Sequence, residues 1–93
     1  MYVFSSEYIV IRGLKQQIAL SLSGLGMVYT FLGQKEKALE TYIKAQDILE
    51  EIDDKYEKCN TYIHTAVFFY YDRRYNKVID ELNKIDNYFE NKF

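Results

Sequence analysis

From Ile18 to Phe89 the apolar residues of this chain return at every third or fourth position, in four successive sets. Ile18, Leu22, Leu25, Tyr29 and Leu32 step by 4, 3, 4 and 3, and Ala38, Tyr42, Ala45, Leu49 and Ile52 repeat that stepping. Cys59, Tyr62, Ala66 and Phe69 step by 3, 4 and 3; Val78, Leu82, Ile85 and Phe89 step by 4, 3 and 4. A helix turns once in about 3.6 residues, so each set is one stripe on one helix face. No proline occurs anywhere to interrupt such helices. The spacing predicts an all-α fold, with helices over about 14–32, 35–52, 55–71 and 75–90.

The punctuation agrees with the stripes. Gly33 is placed to end the first helix, since glycine accepts the left-handed conformation found there. Asp54 is placed to cap the third, with Glu57 three positions on, as in a capping box. Asp72-Arg73-Arg74 reads as the last turn. The second helix turns Glu36, Lys37, Glu40, Lys44, Asp47 and Glu51 outward as a solvated face. Gly24 and Gly26 each lower helix propensity by about 1 kcal/mol relative to alanine. A close helix crossing accounts for Gly26; Gly24 has no account in the pattern.

The two halves superimpose at an offset of 40 residues: Leu22 on Tyr62, Gly26 on Ala66, Tyr29 on Phe69, Tyr42 on Leu82 and Ala45 on Ile85. Size and polarity agree more than identity does. Within Ala19 to Ile52, Leu22, Leu25, Gly26 and Tyr29 precede the turn glycine, and Ala38, Tyr42 and Ala45 follow it. In that order and spacing the stretch resembles a tetratricopeptide repeat, in a variety with a longer period. Stacked antiparallel helix-turn-helix repeats, an α-solenoid fragment, are what the resemblance implies: a tail of a preceding helix over 1–13, a first hairpin over 14–53 and a second over 54–93. The second copy departs from the family pattern at Thr65, Arg73 and Val78.

Residues 1–13 read two ways. The β-branched and aromatic runs YVF and YIVI favour a strand. The repeat register instead makes Tyr2 to Ile11 the tail of an earlier second helix.

Composition excludes several functions. The formal net charge is −2, and Arg73-Arg74 is too small a cluster for nucleic acid. A single cysteine, Cys59, forms no internal disulfide, which fits a cytoplasmic setting or carries no information. Gln16 to Gln34 is free of charge, but six polar residues break its apolar density, so a buried helix is expected in place of a membrane span. His64 is the only histidine and reads as an ordinary helix residue, so no metal site and no cofactor is expected. No acid–base pair, nucleophile or phosphate loop is evident, and the chain is not expected to be an enzyme.

Gln16–Gln34 and Cys59–Tyr71 carry no Asp, Glu, Lys or Arg. By the resemblance these first helices line a concave groove. Its positions fall on Ser23, Met27, Thr30 and Phe31 in the first copy, and on Asn60, Ile63, Val67, Tyr70 and Tyr71 in the second. Such a groove suits an apolar or aromatic peptide and lacks the cations that capture a terminal carboxylate. The expected role is protein or peptide binding. Two alternatives stand beside it: the sensory part of a bacterial peptide-responsive regulator, and a structural self-association module. Two repeats fall short of the usual minimum of about three. The ends, Tyr2-Val3-Phe4 and Tyr88, Phe89 and Phe93, are apolar, so a longer array or a homo-oligomer is expected.

Overall fold

A computed structural model of the chain describes residues 2–90, with side chains over residues 6–87. Those residues form four helices: α1 (Tyr2–Phe31), α2 (Lys35–Glu51), α3 (Lys55–Tyr71) and α4 (Tyr75–Glu90). The last three follow the stripes to within a residue. The first does not. Residues 2–13 are neither a strand nor a separate tail; they extend α1 into one unbroken helix of 30 residues, about 45 Å long. No proline stands at the expected boundary, and Gly13 keeps to the helix. The apolar side chains expected at the two ends lie outside the described residues.

Three turns of one geometry join the helices. Gly33, Asp53 and Arg73 take left-handed φ values of 75, 54 and 59°. In each turn two N–H groups reach back to helix carbonyls. Gly33 donates to Thr30 and Gln34 to Tyr29, Asp53 to Glu50 and Asp54 to Leu49, Arg73 to Tyr70 and Arg74 to Phe69. This double bond pattern satisfies carbonyls that the helix end leaves free. Asp53 and Arg73 hold it without glycine, at a cost of about 1–2 kcal/mol each. Asp54 then caps α3, accepting from Glu57 N at 3.1 Å.

Side-chain contacts fix the helix directions. Arg12 donates to Ile52 O, Lys15 pairs with Glu51, and Gly26 lies beneath Tyr42, so α1 and α2 run antiparallel. Glu50 meets Lys58, and Gln46 donates to Thr65 at 3.1 Å, so α2 and α3 are antiparallel too. Gln16 donates to Asp54 at 2.6 Å, Ser23 meets His64 and Phe31 meets Tyr71. These separations of 38, 41 and 40 residues make α1 and α3 parallel neighbours. α4 packs on α3.

The core joins Ala38 and Tyr42 of α2 to Phe68 and Phe69 of α3, with Met27, Tyr29, Leu39 and Val78 around them. A second cluster gathers Ala19, Leu49 and Ile52. On α1 the buried line is Ala19, Ser23 and Gly26, a small-residue line beside the expected stripe. Ile18, Leu25 and Leu32 of that stripe are exposed. Small residues win this face because α2 comes close: a Cβ on Gly26 would sit 2.7 Å from the Tyr42 ring. On α4 the stripe residue Leu82 is exposed and its neighbour Glu81 is buried, with Lys84 2.9 Å from one carboxylate oxygen.

Candidate peptide-binding face

Because α1 and α3 run in parallel, their C-terminal ends lie together, and each ends in an aromatic residue just before its turn. Phe31 and Tyr71 meet edge to face at 5.6 Å. Tyr70 meets Tyr71 at 5.8 Å, and Tyr75, at the start of α4, meets Tyr70 at 6.0 Å. Edge-to-face packing at these distances is the arrangement the ring quadrupoles favour. All four rings keep more than half of their surface exposed. Three helices thus hold one continuous aromatic shelf.

Beside the shelf opens a cleft of about 190 Å³, lined by Thr30, Phe31, Lys35, Phe68, Tyr71 and Asp72. Lys35 Nζ lies 2.6 Å from one Asp72 oxygen and Arg74 Nε 2.7 Å from the other. The Lys35 hydrogen bond, with both cations adding, holds the Asp72 carboxyl below its usual range. This ion pair ties the α1–α2 turn to the α3–α4 turn.

The nine residues expected in the groove divide into three groups. Phe31, Tyr70 and Tyr71 form the shelf, and Thr30 lines the cleft with its hydroxyl donating to Gly26 O at 2.8 Å. Ile63 is exposed, while Met27 and Val67 are half-buried, Met27 against the core. Asn60 and Ser23 turn to their own chain. Asn60 donates to the Glu57 carboxylate at 3.4 Å. Ser23 is only 4% exposed, and its hydroxyl lies 2.6 Å from His64 Nδ1. Ser23 is therefore withdrawn from any open groove and ties α1 to α3.

The charge-free lining also needs amendment, since Lys35 and Asp72 stand in the cleft wall. Lys35 opens α2 and Asp72 follows α3, so an inventory of α1 and α3 alone leaves both out. Tyr75 escaped for the same reason. His64, expected to be an ordinary helix residue, bridges two helices; a strict offset of 40 pairs Ser23 with Ile63 and misses it by one residue. Burial lowers the His64 pKa, with Glu57 opposing. The Tyr42 hydroxyl is buried with no hydrogen-bond partner, and burial raises its pKa against the nearby Thr30.

Among the described residues no three His, Cys, Asp or Glu side chains are placed to hold a metal ion. None of their helices is long and apolar enough to cross a membrane. The geometry defines a class of molecule: four helices, all-α, with an exposed aromatic shelf where three of them end or begin. No family model, no curated protein and no solved structure matches the chain.

Proposed function

We propose that this chain is a peptide-recognition scaffold of two tetratricopeptide-like helical hairpins, taking an apolar or aromatic segment of another protein along α1 and α3. The observation that carries this reading is the aromatic shelf. Exposed rings that already brace one another lose little freedom on binding, and large aromatic groups dominate the energetics of protein contacts. The parallel course of α1 and α3 and the three matching turns support the hairpin-repeat class.

The cleft refines the ligand. Sites for drug-sized molecules run to about 300–1,000 Å³, so this one suits a single inserted side chain of a longer segment. The cation in its wall, Lys35, is paired with Asp72, so the cleft is poorly suited to a terminal carboxylate. Tyrosine hydroxyls on the shelf offer hydrogen bonds to a bound backbone.

A library of end-blocked peptides tests the reading. Segments with two or more aromatic or aliphatic residues should be retained, and acidic or basic segments should not. Phe31→Ala with Tyr71→Ala should weaken retention by tenfold or more, since central aromatic anchors contribute about 2 kcal/mol or more, and should leave the helical circular dichroism unchanged. Equal capture by the double variant would refute the proposal.

A further inference from the structure

The face of α1 turned away from α2 is apolar, and nothing in the described chain covers it. Val10, Leu14, Ile18, Leu25, Val28 and Leu32 lie along it, each about half exposed or more. From Tyr8 to Leu32 the only charged residues of α1 are Arg12 and Lys15, and both are engaged with the end of α2. A contiguous apolar stripe of this length is a face that a helix normally buries against a partner.

The chain holds a precedent for what covers such a face. On α3, Thr61, Thr65 and Phe68 are buried, and antiparallel α2 lies against them through Gln46 and Tyr42. Forty residues earlier the same positions on α1 are Ser21, Leu25 and Val28, and they stand open. Of the segment 1–13, expected to be the tail of a preceding helix, residues 2–13 are α1's own extension.

We infer that a second copy of this chain covers the outer face, the two α1 helices pairing antiparallel across a two-fold axis at Ser21. Four of the six stripe residues mirror one another about that residue; of the other two, Ile18 falls opposite Gly24 and Leu25 opposite Gln17. Leu14 and Val28 lie seven positions to either side, and Val10 and Leu32 lie eleven. A two-fold pair sets Leu14 of one copy against Val28 of the other, and Val10 against Leu32, as a self-complementary interface requires. Small residues stand where the helices approach most closely. Ser21 lies on the axis, and Gly24 beside it is open, so that a Cβ there would meet nothing of its own chain. That accounts for a glycine that costs the helix about 1 kcal/mol and has no use within one copy. A stable interface takes at least about 1,200 Å² from water in total, which this stripe approaches only when it is covered end to end on both copies. No charge is stranded in it.

Light scattering and sedimentation of the whole chain over a wide concentration range test this. The expected mass is twice 11.1 kDa. Val28→Glu should give a monomer of unchanged helical circular dichroism. In a Cys59→Ser background, Ser21→Cys should cross-link to its counterpart on mild oxidation, while Ile63→Cys, on the peptide-binding side, should not. A chain monomeric at every concentration leaves the face to a further helical pair of a longer protein and overturns the inference. So does a dimer that Val28→Glu leaves intact, or cross-linking through Ile63→Cys in place of Ser21→Cys. Peptide capture by the Phe31–Tyr71 shelf is read separately, so failure of one does not entail failure of the other.

Discussion

Leu25 and Thr65 occupy the same place in the two hairpins, forty residues apart, and their burial is the reverse of their polarity. Leu25 is 41% exposed; Thr65 is 3% exposed. Tyr42 and Leu82 make a second such pair: the tyrosine is wholly buried and the leucine is open. The cause is position in the stack. α3 packs against α1, α2 and α4, and α2 lies against α1 and α3, whereas α4 packs on α3 alone and α1 turns its outer face away from both of its neighbours. Thr65 tolerates burial because its hydroxyl donates to Thr61 O at 2.8 Å and accepts from Gln46, so no polar atom is left unpaired. Which residues are buried thus follows from the neighbours that a helix has, and only secondarily from its own pattern.

The sharpest way to break the comparison is at the crossing of α1 and α2. Gly26→Leu places a side chain where a single Cβ already meets three atoms of the Tyr42 ring within 3 Å. Tyr42 is wholly buried and packed against Phe68, so we expect a loss of about 3 kcal/mol, the upper end for overpacking. Gly24→Leu, two residues along and on the open side, should not destabilise a dilute monomer. Urea unfolding of both variants decides; equal losses would mean that Gly26 does not mark a close crossing.

A smaller effect is expected at the matched pair itself. Thr65→Val keeps the shape but leaves the Gln46 amide without its partner, a loss of about 1 kcal/mol. Leu25→Thr, at a concentration where the chain is monomeric, should stay within about 0.5 kcal/mol of the parent, as surface changes do. Thermal melts of the two variants against the parent measure the difference. A larger loss at Leu25 than at Thr65 would show that the outer face of α1 is covered within one copy.

The sequence made the helices legible because their stripes, the absence of proline and the Asp54 cap all act locally. It made Gly26, Ala38, Tyr42 and Ala45 legible as a packed seam, because only small residues permit so close a crossing. It misled at α1, where periodicity marks an apolar stripe without saying what lies opposite. The small-residue line Ala19–Ser23–Gly26 carries little hydrophobicity, yet it is the line that α2 and α3 contact. On the candidate face the aromatic residues Phe31, Tyr70 and Tyr71 came from the groove positions that the tetratricopeptide resemblance implies. Lys35, Asp72 and Tyr75 were not legible, because they lie at the start of α2, the end of α3 and the start of α4, and the turns that bring them together follow no helical period. Ser23 looked like a groove residue until His64 supplied it with a buried partner.

The last expected effect is also the smallest, and it concerns one more matched pair. Gly24 of α1 stands open; His64, forty residues on, reaches Ser23 across the α1–α3 boundary, with the Tyr42 ring 6.5 Å away. Burial disfavours the charged imidazole, and the negative charge of Glu57 only partly offsets this, so the pKa of His64 in the folded chain lies below its ordinary value. As pH falls past about 6.5, the ordinary histidine value, the unfolded chain takes up a proton before the folded one does. Stability then falls with the difference in bound protons. The contribution is intact above that pH and is lost as pH drops through the lower, folded value. The Asp72 carboxylate acts with the same sign but in a separate window, below the usual carboxylate range of about 4. Denaturant unfolding in steps from neutral to mildly acidic pH should show a decline in the parent. His64→Gln, which can still bond to Ser23 but does not titrate, should flatten it. A decline of equal slope in the variant would place the titrating group elsewhere and leave the His64–Ser23 contact a simple hydrogen bond between two helices.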